Sequence, residues 1–290
     1  MKNDAVTKDF IRDTRIFSDV FNQFVYGGRQ VILPEHLEER DPAEIALPYG
    51  EDRAAVPIQK FRDVRKLYAA MTDGKISYIL YGIESQILVH YAMPVRNGLY
   101  DMLSYAGQVE EAAKSHRRAM KERKEKGETK DTKEWKRPDP GEFLGGFWKE
   151  DRLIPCLTLT LYFGAGKWDG PLSLSEMMEV SDPGVLPYLN DYRMHLVAPG
   201  MMTDEEIMKY RTDLREVMLF IKYSRDKEKL MKVLETDKER FQKMEKRAMD
   251  VIEAVTNAGL KYEEEEAMGD MCKAIRDLRD EEYRLGEQEG

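Results

Sequence analysis

Near the start of the chain, apolar residues recur at the three- and four-residue spacing of an amphipathic helix. The pattern predicts one helix over residues 10–27, which ends at Gly27 and Gly28, residues typical of a helix carboxyl terminus. Its apolar positions are Ile11, Ile16, Phe17, Val20, Phe21, Phe24 and Val25. Prolines and charges over 29–53 predict a looping connection with one short helical turn.

The next pattern is that of a β-hairpin. Apolar runs over 55–70 and 76–84 flank the sequence Thr-Asp-Gly-Lys, and Asp-Gly is a strong hairpin signal. We expect Asp63 on the first strand and Glu84 and Gln86 on the second. Because residues two apart on a strand point to the same face, Glu84 and Gln86 should share one.

A long helix is predicted to follow the hairpin, from Met93 to about residue 125, because Pro94 suits a helix start. Its early apolar positions should pack on the sheet, and these are Val95, Leu99, Met102, Leu103 and Ala106. We expect this helix to place Arg96, Tyr100 and Tyr105 near the strand ends. Because large aromatic side chains mainly serve packing, we expect the two tyrosines to pack in the core or at its edge.

The second half of the chain alternates between strand and helix patterns. Thr203 with Glu206 fits a capping box at the start of a helix. The predicted elements are a buried strand within 153–164, a short helix within 174–180, a strand over 188–198, helices from 203 to about 234 and over 237–256, and a charged tail over 262–290.

Composition limits the classes of function. The 290-residue chain is 42% hydrophobic, which is enough for a real core, and its formal charge of −9 excludes a wholly basic DNA binder. Residues 114–137 carry eleven Lys and Arg against five acids, which fits either a solvated helix end or a DNA contact. Cys156 and Cys272 lack zinc-ligand spacing. No apolar leader or run of about 18 apolar residues occurs, so we expect a cytoplasmic protein without a membrane partner.

The hairpin acids suggest a metal site. Two carboxylates on neighbouring strands, Asp63 and Glu84, supply the hard oxygen ligands that suit Mg²⁺ or Mn²⁺. Such an ion can polarise a phosphate and activate water, and a nearby polar group such as Gln86 can orient that water. On spacing alone, the two acids fit solvent-facing strand residues better than a metal site.

The ordered set of motifs resembles a known family. Arg62-Asp63, then Gly-Ile-Glu-Ser-Gln over 82–86, then Met-Pro-Val-Arg over 93–96 are similar to the Rpn-type recombination-promoting nuclease and transposase family. This family belongs to the PD-(D/E)XK nuclease superfamily, and it has Glu-x-Gln where the wider superfamily has Glu-x-Lys. The resemblance covers roughly residues 9–235, with further similar segments at 15–22, 153–164, 168–172 and 213–216.

The resemblance implies an α/β fold, with a PD-(D/E)XK restriction-endonuclease-like core in which helices flank a central mixed sheet. It implies a nuclease-like domain over 1–235, with the basic insert at about 114–140, and we expect a charged helical extension over 236–290. The implied activity is metal-dependent DNA cleavage associated with recombination or mobile elements.

The resemblance also implies roles for individual residues. Asp63 and Glu84 would bind Mg²⁺ or Mn²⁺, and Gln86, at the usual lysine position, would orient water. Arg96 would contact the scissile phosphate or pair with Glu84. The superfamily often has an acid on its first helix, and Asp13 and Asp19 both fit that position.

Two other functions remain open at this point. A neutral Gln86 and a net negative charge also fit a nuclease fold that binds DNA or a partner protein with weak or no cleavage. The charged carboxy-terminal helices fit a protein that self-associates into a homo-oligomer, although their heptads are not sustained enough for a coiled coil.

Overall fold

The computed structural model describes residues 2–41, 43–46, 58–61, 63–72, 75–127, 137–260 and 268–269. The helices are α1 Lys2–Arg12, α2 Thr14–Tyr26, α3 Met93–Glu125, α4 Pro140–Gly145, α5 Asp204–Ile207, α6 Leu214–Tyr223, α7 Lys227–Thr236, α8 Lys238–Phe241 and α9 Lys246–Thr256. The strands are β1 Leu37–Glu39, β2 Ala43–Ala46, β3 Ile58–Phe61, β4 Val64–Thr72, β5 Lys75–Gln86, β6 Cys156–Tyr162, β7 His195–Val197, β8 Met244–Glu245 and β9 Met268–Gly269.

The main sheet has five strands in the order β1-β4-β5-β6-β7. Strands β4 and β5 are joined by only two residues, which forces an antiparallel pair. Leu80 N–H donates to the carbonyl of Pro155, and Phe163 N–H donates to that of Gln86, so β5 and β6 run in the same direction. Since β7 is parallel to β6, the sheet is mixed. The predicted mixed sheet flanked by helices is confirmed.

The chain divides into two compact units. We call Met1–Glu38, Ile83–Pro94 and Leu159–Gly290 the first unit, and Glu39–Gly82 and Val95–Thr158 the second unit. The predicted boundary near residue 235 stays a prediction, and α9 packs against α1 and α6 within the first unit.

The first unit has its core among its helices. Helix α2 buries Phe17, Val20 and Phe21 completely, and the two phenyl rings lie 5.0 Å apart. The single helix predicted over 10–27 is wrong in extent because Asp13 begins a new helix, its side chain accepting a hydrogen bond from Arg15 N–H. The predicted end at Gly27 is confirmed by a left-handed φ of 61°.

In the second unit, helix α3 buries a face that the sequence pattern did not predict. The helix spans the predicted residues, but Val95, Leu99 and Met102 are exposed, whereas Asn97, Tyr100, Asp101 and Ser104 are buried with Leu103. Tertiary hydrogen bonds explain this burial of polar groups, since Thr158 Oγ1 donates to Asp101 at 2.7 Å and Arg65 donates to Ser104 at 3.0 Å.

Several predicted elements of the second half are shorter than expected. The capping box of Thr203 and Glu206 is confirmed, but the helix that it begins ends at Ile207. Asp226 then caps a separate α7, because its side chain accepts from Lys229 N–H. Three predictions are therefore wrong in extent: the helix over 203–234 is three helices, the helix over 237–256 is α8, β8 and α9, and the strand over 188–198 keeps only β7.

Three further observations bear on the predictions. The hairpin turn at 73–74 and most of the charged tail over 262–290 lie outside the described residues. Cys156 is partly buried, and its thiol donates a hydrogen bond to the Ser104 hydroxyl at 3.1 Å. Within the described ranges, no helix combines the length and the apolar character that crossing a bilayer requires.

Candidate functional site

Glu84 lies in the first unit, two residues before β5 ends at Gln86. Its side chain is 0% exposed, and its neighbours Ile83 and Ser85 are buried as well. Strand β5 continues to Gln86, whose carbonyl accepts the Phe163 N–H at 2.7 Å. Removing a carboxylate from water costs several kcal/mol unless partners or a bound cation compensate. The burial of the Glu84 carboxylate must therefore be compensated by hydrogen bonds, by a charged partner or by a bound cation.

Asp63 is also buried, within the second unit. Its residue is 7% exposed and precedes β4, so the prediction that it lies on the strand itself is wrong by one residue. The same strand contains Lys66, which is only 2% exposed. Sequence analysis missed Lys66, although a lysine that shares a strand face with Val64 and Tyr68 is a signal, since lysine is almost never fully buried without a partner.

The two predicted metal acids belong to different units, and each is described within its own. Their joint binding of Mg²⁺ or Mn²⁺ therefore stays a prediction from the sequence. In the part of the chain that the structure describes, no group of three or more His, Cys, Asp or Glu residues is arranged to hold a metal ion. The predicted metal site has only two carboxylate ligands, Asp63 and Glu84, so the absence of a group of three among the described residues does not test it.

The structure gives different roles to the two candidate acids of the first helical segment. Asp13 is the N-cap of α2, and both of its oxygens contact the Arg15 guanidinium. Burial alone raises the pKa of Asp13, but the hydrogen bonds from Arg15 outweigh it and the pKa is lowered. Asp19 is buried within α2, and its Oδ2 accepts from Arg211 N–H, Thr212 N–H and Thr212 Oγ1 at 2.8–2.9 Å.

The second oxygen of Asp19 is uncommitted. Its Oδ1 is buried and accepts no hydrogen bond from any residue that the structure describes. Asp13 is thus fully occupied at a helix start, whereas Asp19 keeps one oxygen that a ligand can use. The choice of Asp19 as a functional acid stays a prediction.

Replacing Asp19 by alanine should destabilise the first unit, because it strands three donors of residues 211 and 212. We expect Asp19→Ala to lower the free energy of unfolding by about 2–4 kcal/mol. Urea denaturation followed by circular dichroism measures this change. The matched control is Asp9→Ala, whose exposed partner Arg247 lies at 4.0 Å and contributes little. Equal unfolding midpoints for the two variants would contradict the structural role of Asp19.

Arg96 lies near the start of α3 in the second unit. Its Nε donates to the Tyr100 hydroxyl at 3.1 Å, and its guanidinium carbon is 5.7 Å from the centre of that ring. Tyr100 is buried, which agrees with its predicted packing role. The roles of Arg96 as a phosphate contact or as a partner of Glu84 stay predictions.

A cleft of about 610 Å³ opens in the first unit where β5 and β6 end. Because these strands run in the same direction, both of their carboxyl ends reach this edge of the sheet, the place where open α/β sheets commonly bind ligands. The cleft is lined by residues from four segments, which are 87–91, 162–169, 224–225 and 255–256. Sequence analysis missed this cleft.

The charged groups of the cleft are Lys167, Arg225 and Asp169. The hydroxyl of Tyr91 lies 3.3 Å from each carboxylate oxygen of Asp169 and donates to it, and this negative charge raises the pKa of Tyr91. Lys167 and Arg225 form no hydrogen bond or ion pair with any side chain among the described residues. The cleft therefore holds two uncommitted cations against one engaged carboxylate.

A glycine shapes the wall of the cleft. A Cβ atom added at Gly164 would lie 2.2 Å from the ring of Tyr162, so only glycine lets this ring lie against the backbone. The Tyr162 ring in turn packs edge-on against Trp168, with centroids 5.3 Å apart and planes at 84°. This packing fixes the backbone that carries Lys167 and Asp169.

Comparisons with known proteins agree with the resemblance. Residues 148–251 match a family model described as "Putative transposase, YhgA-like". A comparison with curated proteins found no match, and a comparison with solved structures found none. The matched residues include β6, β7 and the cleft segments 162–169 and 224–225. Over residues 148–251 the chain therefore matches the YhgA-like transposase family, and the predicted resemblance is confirmed.

Proposed function

We propose that this protein is a metal-dependent DNA endonuclease of PD-(D/E)XK type, associated with recombination or mobile elements. The observation that carries the proposal is the complete burial of Glu84 on β5, in a chain that matches a transposase family. The mixed sheet and the order of Asp63, Glu84 and Gln86 along a hairpin support it. A buried acid at this point has a use if it binds a cation that acts on a phosphodiester.

The donor set fits a hard divalent cation. Asp63 and Glu84 are both buried and offer carboxylate oxygens, the ligands that Mg²⁺ and Mn²⁺ prefer. When bound there, such an ion supplies Lewis acidity toward a phosphate oxygen and lowers the pKa of a bound water. Carboxylates held in a buried site are also less free to reorient, which favours a fixed ligand geometry.

The remaining residues of the proposed site act on water and phosphate. Gln86 is partly buried, and its amide can both donate and accept hydrogen bonds, so it would orient an attacking water without adding charge. Arg96 would contribute a positive charge for a phosphate of the substrate. Asp19, with its uncommitted Oδ1, is the better candidate for an additional acid in the first unit.

The second candidate function is a DNA- or protein-binding protein that keeps the nuclease fold and cleaves weakly or not at all. The neutral side chain of Gln86 favours it, because the superfamily lysine at this position supplies a positive charge that an amide lacks. The two functions differ in one measurable property, which is turnover of DNA in the presence of a divalent cation.

A plasmid nicking assay tests the proposed function. We expect the purified full-length protein to convert supercoiled plasmid to open circles with Mg²⁺ or Mn²⁺ and to leave it intact with EDTA. Asp63→Asn, purified in the same way, should be slower by about 100-fold, since it removes one carboxylate ligand while keeping the size of the side chain. Equal nicking by this variant would identify a contaminant as the source. Salt-dependent DNA binding without any nicking would replace the endonuclease with the binding protein.

A further inference from the structure

We infer that the cleft at the carboxyl ends of β5 and β6 binds a nucleotide unit of single-stranded DNA, with its phosphate held by Lys167 and Arg225. The proposal concerns a site outside the predicted metal acids. It rests on the proposed function for the identity of the ligand as DNA, whereas the chemistry of the cleft rests on the described contacts alone.

The charge of the cleft selects an anion. Lys167 and Arg225 are brought together from segments 58 positions apart, and neither is neutralised by a described acid. Among the described lining residues the carboxylate is Asp169, which already accepts from the Tyr91 hydroxyl. An arginine and a lysine facing one cavity provide several donors to phosphate oxygens, and the net charge of the three groups favours a phosphate.

The rim of the cleft selects an unpaired base. Tyr91 and Leu88 are 61% and 79% exposed, so an aromatic ring and an aliphatic side chain face solvent at a cavity that also contains cations. Single-strand binding sites combine these features, because bases stack on aromatic rings while cations contact the backbone. Bases inside a duplex are stacked on one another and cannot offer their faces in this way. The cavity of about 610 Å³ also lies within the range for small-ligand sites.

The place of the cleft along β5 connects it to the proposed chemistry. Glu84 lies three positions before Ile87, the first residue of the cleft lining, which is at most about 10 Å of extended chain. Because the rise per nucleotide along a strand is about 3.4 Å, a strand held in the cleft would pass Glu84 within a few nucleotides. The cleft would therefore position a strand for cleavage and not perform it.

Binding of a labelled oligonucleotide tests the inference without cleavage. The probe is a fluorescein-labelled 12-mer of deoxythymidine, titrated with full-length protein in EDTA and followed by anisotropy. We expect Lys167→Gln and Arg225→Gln each to weaken binding about tenfold. The slope of log affinity against log salt should fall in magnitude by about 0.7 for each lost contact. Tyr91→Ala should weaken binding at least about fivefold through lost stacking, whereas Tyr91→Phe keeps it.

Asp169→Asn provides a change of opposite sign. Removing the only acid of the described cleft lining should strengthen binding about threefold, which a general loss of structure cannot do. The matched controls are Lys232→Gln and Lys238→Gln, which remove exposed cations of α7 and α8 outside the cleft and should leave affinity unchanged. The inference is overturned if the double variant of Lys167 and Arg225 binds the 12-mer with wild-type affinity and salt slope.

Two competitors separate the possible sources of the phosphate. Thymidine monophosphate and inorganic phosphate should displace the 12-mer only at concentrations at least about 100-fold higher, which supports a strand site. Displacement by the mononucleotide at equal concentration would assign the cleft to free nucleotides and would overturn the inference that it binds single-stranded DNA. If binding depends on the cleft while no metal-dependent nicking occurs, the proposed function fails and the inference stands. If the double variant of Lys167 and Arg225 keeps both metal-dependent nicking and wild-type DNA affinity, the inference fails and the proposed function stands.

Discussion

Glu84→Gln is expected to reduce metal-dependent plasmid nicking by about 10³-fold. Glu84 is completely buried on β5, and the substitution replaces a carboxylate oxygen by an amide nitrogen with almost no change in volume. A metal ligand contributes several kcal/mol to stabilisation of the transition state, and each 1.4 kcal/mol corresponds to a factor of ten in rate. The measurement is the initial rate of open-circle formation under single-turnover conditions with Mg²⁺.

The neutral glutamine also separates chemistry from folding. Glutamine has nearly the size of glutamate and keeps a hydrogen-bonding side chain at this position, so circular dichroism should show a folded variant. Glu228→Gln, on the surface-exposed part of α7, is the matched control and should nick at the wild-type rate. A folded Glu84→Gln protein with wild-type nicking would exclude Glu84 from the active site and, with it, the proposed metal site.

Local signals predicted the parts of the fold that depend on neighbouring residues. The Asp-Gly sequence marked the change from β4 to β5, although the single first strand predicted over 55–70 is wrong, because β3 and β4 are separate strands and β3 pairs with β2. Pro94 marked the start of α3, and the capping box of Thr203 began α5. The same local rules failed where a single polar side chain ends or starts a helix. Asp13 does so within one predicted helix, since a capping aspartate inside an apolar pattern resembles an ordinary surface residue.

Contacts between distant residues account for the features that the sequence did not predict. The buried face of α3 is polar because Asp101 and Ser104 find partners 57 and 39 positions away. No spacing rule detects such partners. Val95 and Leu99 were therefore predicted to be buried because they are apolar, although both are exposed. Burial of a polar group is decided by whether its hydrogen bonds are satisfied, which is a property of the folded chain.

The candidate site shows the same division. Glu84 was predicted as a candidate site residue because a carboxylate at the end of an apolar strand is unusual, and the nine residues 78–86 are enough to show this pattern. The cleft was not predicted because Lys167 and Arg225 become neighbours only when β6 and the end of α6 meet at one edge of the sheet. Polar residues that converge from distant segments carry no local signature, so sequence reasoning is strongest for motifs and weakest for binding clefts.

Arg240→Ala is expected to cause the largest loss of stability among single substitutions outside the apolar core. Glu216 on α6 is 0% exposed, and Arg240 on α8 binds both of its oxygens, with Nε–Oε1 at 2.6 Å and Nη2–Oε2 at 2.9 Å. This pairing raises the pKa of the Arg240 guanidinium, although its partial burial acts in the opposite direction. The ion pair to Arg215 Nε, at 3.3 Å, is the second support of the carboxylate.

Removing one partner of a buried ion pair leaves the other charge uncompensated. We expect Arg240→Ala to lower the free energy of unfolding by about 3–5 kcal/mol, measured by urea denaturation with an unchanged slope. Lys238→Ala, an exposed cation on the same short helix, should change it by less than about 0.5 kcal/mol.

A double variant distinguishes the stranded charge from simple loss of contacts. If the uncompensated carboxylate causes the loss, Glu216→Leu combined with Arg240→Leu should recover most of it, because the buried carboxylate is then absent and Arg215 keeps its ion pair with Asp237. If instead Arg240 acts through its packing and its bonds to the carbonyls of Arg211 and Thr212, the double variant will be as unstable as Arg240→Ala. The sign of the coupling energy between the two positions therefore decides whether α8 is fixed to α6 mainly by charge.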